Sequence, residues 1–136
     1  MGSDTMTALC LVDTNVLIDL LGRYPDPGFD MRVQAALSRG AAISIITTIE
    51  LLGWRRHTDQ SRQDATNLLA RMRELPLDRQ TAQKVIELRS RHAIRLGDAI
   101  IAATALTANL PLMTRNTADF KQIDGLQVIN PFGDER

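Results

Sequence analysis

At 136 residues, the chain has room for one domain with a single sizeable core and excludes a multidomain assembly. Its 44% hydrophobic and 24% charged content is that of an ordinary globular protein, which excludes disorder as the starting point. Sixteen basic and sixteen acidic side chains give a formal net charge of +0, which excludes nucleic-acid binding by bulk positive charge. Lys84 and Lys121 are the only lysines, so the basic complement is almost all arginine, as genomic base composition alone can produce. Cys10 is the only cysteine: no intrachain disulfide can form, and within an apolar run it is expected to pack as a small hydrophobe. No apolar run reaches the ~18 residues of a membrane span and no signal peptide is visible, so a cytoplasmic protein is expected. Residues 6–133 are expected to form the single domain, with 1–5 and 134–136 as flexible termini and Met6 as an alternative start.

In chain order, Leu9 to Val12 is a short apolar run that stops at Asp13. Thr14 and Asn15 turn the chain, and a helix from about Asn15 to Leu21 ends at Gly22. Pro25, Pro27 and Gly28 mark a loop. Phe29, Val33, Ala36 and Leu37 recur at helical spacing up to Gly40, and Ala41 to Ile46 reads as a second strand. Thr47-x-x-Glu50 has the form of a capping box for a helix to Trp54, followed by a polar connection from Arg55 to Ser61. Ala65, Leu68, Leu69 and Met72 form an amphipathic stripe. Leu75 to Leu77 reads as an extended edge segment confined by Pro76, and Asp78 caps a helix that turns Ala82, Val85, Ile86 and Leu88 inward until about His92.

Gly97 to Leu110 is apolar nearly all round, the mark of a buried helix, and its alanines allow close approach to a sheet. Pro111 ends it; Leu112 to Thr114 reads as a strand, Thr117 to Gln122 as a short helix, Gly125 as a turn and Leu126 to Ile129 as a last strand. Strands alternating with helices predict an α/β fold with a mainly parallel sheet flanked by helices.

Asp13, Glu50 and Asp98 stand at element boundaries, and Asp119 follows the Met113–Thr114 strand after Asn116. Each has a structural explanation: an Asx turn for Asp13, a capping partner for Glu50, a helix dipole for Asp98, a cap-and-N3 pair for Asn116 and Asp119. Strands ending at Asp13 and Thr114, if parallel and adjacent, would instead place these groups on one rim. Crowded carboxylates repel unless a cation sits among them or some are protonated, and a set of hard oxygen donors without His or Cys suits Mg2+ or Mn2+ better than Zn2+. His57 and His92 lie on polar stretches and read as solvated surface.

Residues 11–19 (Leu-Val-Asp-Thr-Asn-Val-Leu-Ile-Asp), 46–53 (Ile-Thr-Thr-Ile-Glu-Leu-Leu-Gly), 95–105 (Arg-Leu-Gly-Asp-Ala-Ile-Ile-Ala-Ala-Thr-Ala) and 113–120 (Met-Thr-Arg-Asn-Thr-Ala-Asp-Phe) together resemble the PIN-domain nucleases. The closing residues 126–132 are similar to the ends of VapC-type toxins in that family. The resemblance implies a three-layer α/β/α sandwich of about five mainly parallel strands and an acidic, Mg2+- or Mn2+-dependent site that cleaves RNA. The matching carboxylates are Asp13, Glu50 and Asp98. The fourth position falls on Asn116 or on Asp119, of which only Asp119 can supply a carboxylate. Asn15, Thr14, Thr114 and Asn116 are the implied supports. Arg55, Arg56, Arg95 and Arg115 are candidates for a basic RNA rim.

The resemblance further implies an antitoxin protein that blocks the acidic pocket with a basic side chain, and a homodimer, for which the stripe around Leu68 and Met72 is either one available surface or part of the core. Four other readings remain open on the residues alone: a PIN nuclease of RNA processing without an antitoxin, a metal-independent ribonuclease using the histidines, a phosphoryl-transfer domain with Asp13 as nucleophile, and a PIN-like scaffold that only binds.

Overall fold

The computed structural model describes residues 9–23 and 25–133; the expected flexible termini lie outside the described residues. In chain order the elements are β1 (Cys10–Val12), α1 (Thr14–Leu21), α2 (Pro27–Ser38), β2 (Ala41–Ser44), α3 (Ile45–Leu52), α4 (Asp59–Leu69), β3 (Arg73–Leu75), α5 (Arg79–Arg91), α6 (Leu96–Ala108), β4 (Leu112–Met113), α7 (Thr117–Phe120) and β5 (Val128–Ile129). The five strands form one sheet in the order β3-β2-β1-β4-β5, and every pairing is parallel.

This order decides where the helices go. The chain steps from β1 outward to β2 and β3, then returns across the sheet to β4 and β5. Crossovers between parallel strands are right-handed, so reversing the direction of travel moves the connecting helices to the opposite face. The side chains record the result. Cys10, Val12, Ala41, Ile43 and Met113 point to one face, against Val16, Leu17, Phe29, Val33 and Leu68 of α1, α2 and α4. Leu11, Ala42 and Leu112, their neighbours in sequence, point to the other, against Val85, Leu88, Phe120 and the alanines of α6. The inner strands β1, β2 and β4 are short, fully buried and largely apolar because both faces are covered, whereas β3 at the edge is Arg-Glu-Leu and mostly exposed. The expected three-layer sandwich is therefore present.

Helix α6 is the packing centre of the second layer. Ala99, Ala102, Ala103 and Ala105 are fully buried, so a side chain no larger than a methyl separates backbone from neighbour along most of its length. Asn109 closes the helix in the left-handed conformation (φ 59°).

Several local expectations are corrected. Strand β2 ends at Ser44 rather than Ile46, because the Ser44 hydroxyl caps α3 by accepting from the Ile46 N–H (3.1 Å). Thr47 thus lies inside the helix and buried, and the expected Thr47–Glu50 capping box does not form. A capping box does form at α4, between Thr58 and Ser61. The edge strand lies at Arg73–Leu75, just before Pro76, and Leu77 is 42% exposed. Ile86 is turned outward on α5. Leu68 and Met72 are buried in the first core, so the stripe proposed as a dimer surface is interior.

The tight fit of α6 has a direct consequence. Ala103→Leu is expected to cost at least ~1–3 kcal/mol of stability by overpacking, read as a fall in the urea midpoint with an unchanged m-value.

Candidate active site

The carboxyl ends of β1 and β4 meet where the winding of the sheet reverses, the position at which open α/β sheets leave a crevice. Asp13 follows β1 and caps α1. Its Oδ1 accepts from the Thr14 N–H (2.7 Å), while Oδ2 accepts from the Thr114 hydroxyl (2.8 Å) and from Asn15 Nδ2 (3.3 Å). Thr114 is fully buried at the end of β4 and also accepts from the Asn116 N–H (3.0 Å). Asn15 spans the same gap: its Nδ2 lies 3.5 Å from the Thr114 hydroxyl, and its Oδ1 accepts from the Arg115 N–H (3.4 Å).

Helix α3 brings the second carboxylate. The Thr14 hydroxyl lies 2.7 Å from Glu50 Oε1 and 2.9 Å from Thr47 Oγ1. With one proton to give, Thr14 serves the carboxylate, the stronger acceptor. Glu50 is consequently held by α1 rather than by its own helix end. Gly97, in the first turn of α6, makes room for it: a β-carbon there would stand 3.2 Å from Glu50 Oε2. The next residue, Asp98, is also in that first turn, with Arg95 Nε 3.9 Å from its Oδ2. Asp119 lies exposed on α7, across an open basin of about 520 Å³ that Asp98 also lines.

Charge links the four groups. Asp13 is 4% exposed, and burial pushes its pKa up to about 6; the Thr114 hydroxyl and the Thr14 N–H act against this, and the neighbouring Asp98 and Glu50 charges add to it. Asp98 is likewise raised, by burial first, with Arg95 opposing and Asp119 and Glu50 reinforcing. Among the described residues no three His, Cys, Asp or Glu side chains stand so that together they could hold a metal ion directly. An all-oxygen, open and mutually repelling set fits Mg2+ or Mn2+, which keep several waters and take only one or two carboxylates directly.

The structure brings Asp13, Thr14, Asn15, Glu50, Asp98 and Thr114 together, with Asp119 lining the same basin as Asp98; three other expectations fare differently. Asn116 makes no side-chain cap to α7; it contributes its N–H to Thr114. Arg115, expected on an RNA rim, is tied through Nη1 to both oxygens of Asp19 (3.0 and 2.9 Å), while Arg55 and Arg56 are exposed and make no ion pair among the described residues. His57 is not solvated surface: its ring nitrogens lie 2.8 Å from the Leu51 carbonyl and 2.8 Å from the Ser61 hydroxyl, joining α3 to α4. Asp19 and Gly97 were not singled out from sequence. Their signal, contact with residues 96 and 47 positions away, is not local.

A doubly wound parallel sheet with acidic side chains at its switch point defines the class: an open α/β fold whose crevice lies at the carboxyl ends of its strands. The model of the PIN domain matches residues 10–126, and the chain belongs to the PIN-domain family. It is 35% identical over 124 residues to Ribonuclease VapC10 of Mycobacterium tuberculosis, covering 88% of this chain and 91% of that protein. It is 30% identical to VapC ribonuclease Y4jK of Sinorhizobium fredii, covering 91% and 98% of the two chains. Among solved structures, a toxin-antitoxin complex from Klebsiella pneumoniae contains a chain similar to this one at TM-score 0.71 and 33% identity, covering 90% and 97%.

Burial of Asp13 makes the site a source of instability when no cation is bound. Below pH 3.8 the carboxyl is protonated in folded and unfolded chains alike; between 3.8 and about 6 only the unfolded chain ionises; above that the folded chain carries the full penalty. Stability in a chelating buffer is therefore expected to fall as pH rises through this window. Asp13→Asn is expected to raise stability at pH 7 by roughly 1–3 kcal/mol, measured as an increase in Tm, and a decrease would contradict this account.

Proposed function

We propose that the chain is a Mg2+- or Mn2+-dependent endoribonuclease and the toxin of a toxin–antitoxin pair. The observation that carries the reading is the buried Asp13 carboxylate, fixed by Thr114 and Asn15 at the switch point and within the electrostatic reach of Glu50 and Asp98. The printed names of the relatives support it, since two are called VapC ribonucleases and a similar chain belongs to a toxin-antitoxin complex.

Asp13 and Asp98 would hold the principal ion, with Glu50 and Asp119 reaching it through water or holding a second. When bound, such an ion supplies a water of lowered pKa as nucleophile and neutralises charge on the pentavalent phosphorus. The chain's own part is preorganisation. Thr114 and the Thr14 N–H lock the Asp13 carboxylate, so its remaining lone pairs keep a fixed aim. Thr14 orients Glu50 by the same means from the other side. Burial removes water that would compete for Asp13, and the mutual repulsion of the four carboxylates favours an occupant of opposite charge. No Ser, Cys or His nucleophile is needed, and both ring nitrogens of His57 are engaged structurally.

The antitoxin reading has a surface to support it. Beyond Glu50, a groove of about 420 Å³ is lined by Ile18, Leu21, Trp54 and His57, and Ile18 and Trp54 are each more than half exposed. An apolar helix laid there would carry a basic side chain up to the carboxylates. This favours a partnered toxin over a solitary RNA-processing nuclease. The proposal includes a homodimer, formed by a surface other than the interior Leu68–Met72 stripe.

The test is cleavage of total RNA in Mg2+, Mn2+ or EDTA. Cleavage is expected with either metal, and EDTA or Asp13→Asn is expected to abolish it while the protein stays folded. Thr114→Val, which removes the donor to Asp13 together with the acceptor for the Asn116 N–H, is expected to lower the rate about 10- to 100-fold. Metal-independent cutting, or full activity in Asp13→Asn, would overturn the mechanism.

A further inference from the structure

We propose that the basin on the Asp98–Asp119 side of the carboxylates is a nucleotide subsite: Lys121 binds the phosphate next to the scissile one, and Gln122 reads the edge of the adjoining base. This rests on the nuclease reading and extends it to substrate recognition. The basin has about 520 Å³ of space, comparable to a mononucleotide-sized pocket. Its two walls are the connection from α5 to α6, with Ile94 and Arg95, and α7 with its following turn, with Lys121 and Gln122.

Both walls are fixed. Phe120 and Ile123 are buried in the second core, so the residues between and before them, Asp119, Lys121 and Gln122, are presented outward on a rigid platform. The opposite wall is tied back by Arg89 Nε, which donates to the Ile94 carbonyl (3.4 Å). A base entering the basin meets apolar surface from Ile94, and the Gln122 amide offers both a donor and an acceptor to its edge.

Of the two cations that line the basin, Arg95 and Lys121, the ion pairs favour Lys121. A chain of zero net charge must hold a polyanion beside four carboxylates, so cations near the site that are not already neutralised matter most. Arg115 is chelated to Asp19, and the chain's other lysine, Lys84, is paired with Glu87 at 3.1 Å. Arg95 stands 3.9 Å from Asp98. Lys121 lines the basin and makes no ion pair among the described residues. The ammonium is a compact point charge that suits a single phosphate oxygen rather than a planar fork.

The experiment measures binding and cutting separately, in Mg2+. For binding, a mixed-sequence single-stranded RNA is titrated against chains that carry Asp13→Asn to hold off cleavage, either alone or combined with Lys121→Gln or, as a charge-matched control, Lys84→Gln. Lys121→Gln is expected to weaken binding about 3- to 10-fold and to reduce the salt slope of log Kd by about 0.7, the value for one phosphate on a single strand. Lys84→Gln is expected to do neither. For cutting, Gln122→Ala on a randomised RNA is expected to relax preference at one position beside the cut by about tenfold. An unchanged salt slope in Lys121→Gln, an equal loss in Lys84→Gln, or an unchanged cleavage profile in Gln122→Ala would overturn the assignment. RNA bound in a Lys121-dependent way but never cut would uphold the subsite and sink the nuclease reading; RNA cut without dependence on Lys121 would do the reverse.

Discussion

The hydrogen bond from the Thr114 hydroxyl to Asp13 Oδ2 is the interaction on which the site depends. It joins the ends of the two strands that flank the reversal of the sheet, and it is made to a carboxylate that the fold has almost removed from water. A hydrogen bond to a charged group contributes ~1.5–3 kcal/mol, which opposes only part of the desolvation that raises the Asp13 pKa. The rest of the structure supplies the difference in rigidity. Helix α1 begins on Asp13 itself, Asn15 spans from α1 to the β4 end, and Thr14 reaches across to α3. Three consecutive residues thus hold three elements in register, and each does so through a side chain short enough to leave little freedom.

The elements and the carboxylates were legible in the sequence because both signals are local. Apolar runs of strand length, helical spacing and the all-apolar stretch from Gly97 to Leu110 follow from which faces are covered, and the inner strands are covered on both. What was not legible lies in competition between two local readings or in contacts across the chain. Thr47 and Glu50 satisfied a capping pattern, yet Ser44 captured the helix start three residues earlier and released both for Thr14. His57 sits in a polar stretch, and only the approach of α4 to α3 gives its ring two partners. The Asp19–Arg115 pair spans 96 positions and carries no spacing signal at all. Asn116 was hidden for a different reason: its bond to Thr114 is local, but it is made by the backbone N–H, which residue type does not reveal.

The rim is divided into two unlike flanks. On the Glu50 side the surface is apolar, with Ile18 and Trp54 standing out of a groove; on the Asp98 side it is polar, with an uncompensated lysine and a glutamine above an open basin. A chain of zero net charge has no net positive field to draw RNA to this rim. Selectivity for a polyanion must then come from placement of a few cations and not from the field of the whole molecule. The division also lets an apolar partner approach from one flank without meeting the charges that serve the other.

The separation of Asp13 from Thr114 by 101 positions has a consequence in time as well as in space. During synthesis, the first strand and its carboxylate emerge early, but their flanking strand is made only after more than three-quarters of the chain. Domains complete their folding as units when the last long-range partner arrives, and parallel pairings of this kind are slow to close. A ribosome carrying an unfinished copy therefore holds Asp13, Glu50 and even Asp98 without the brace that aligns them. Alignment of the carboxylates is thus among the last things the fold acquires.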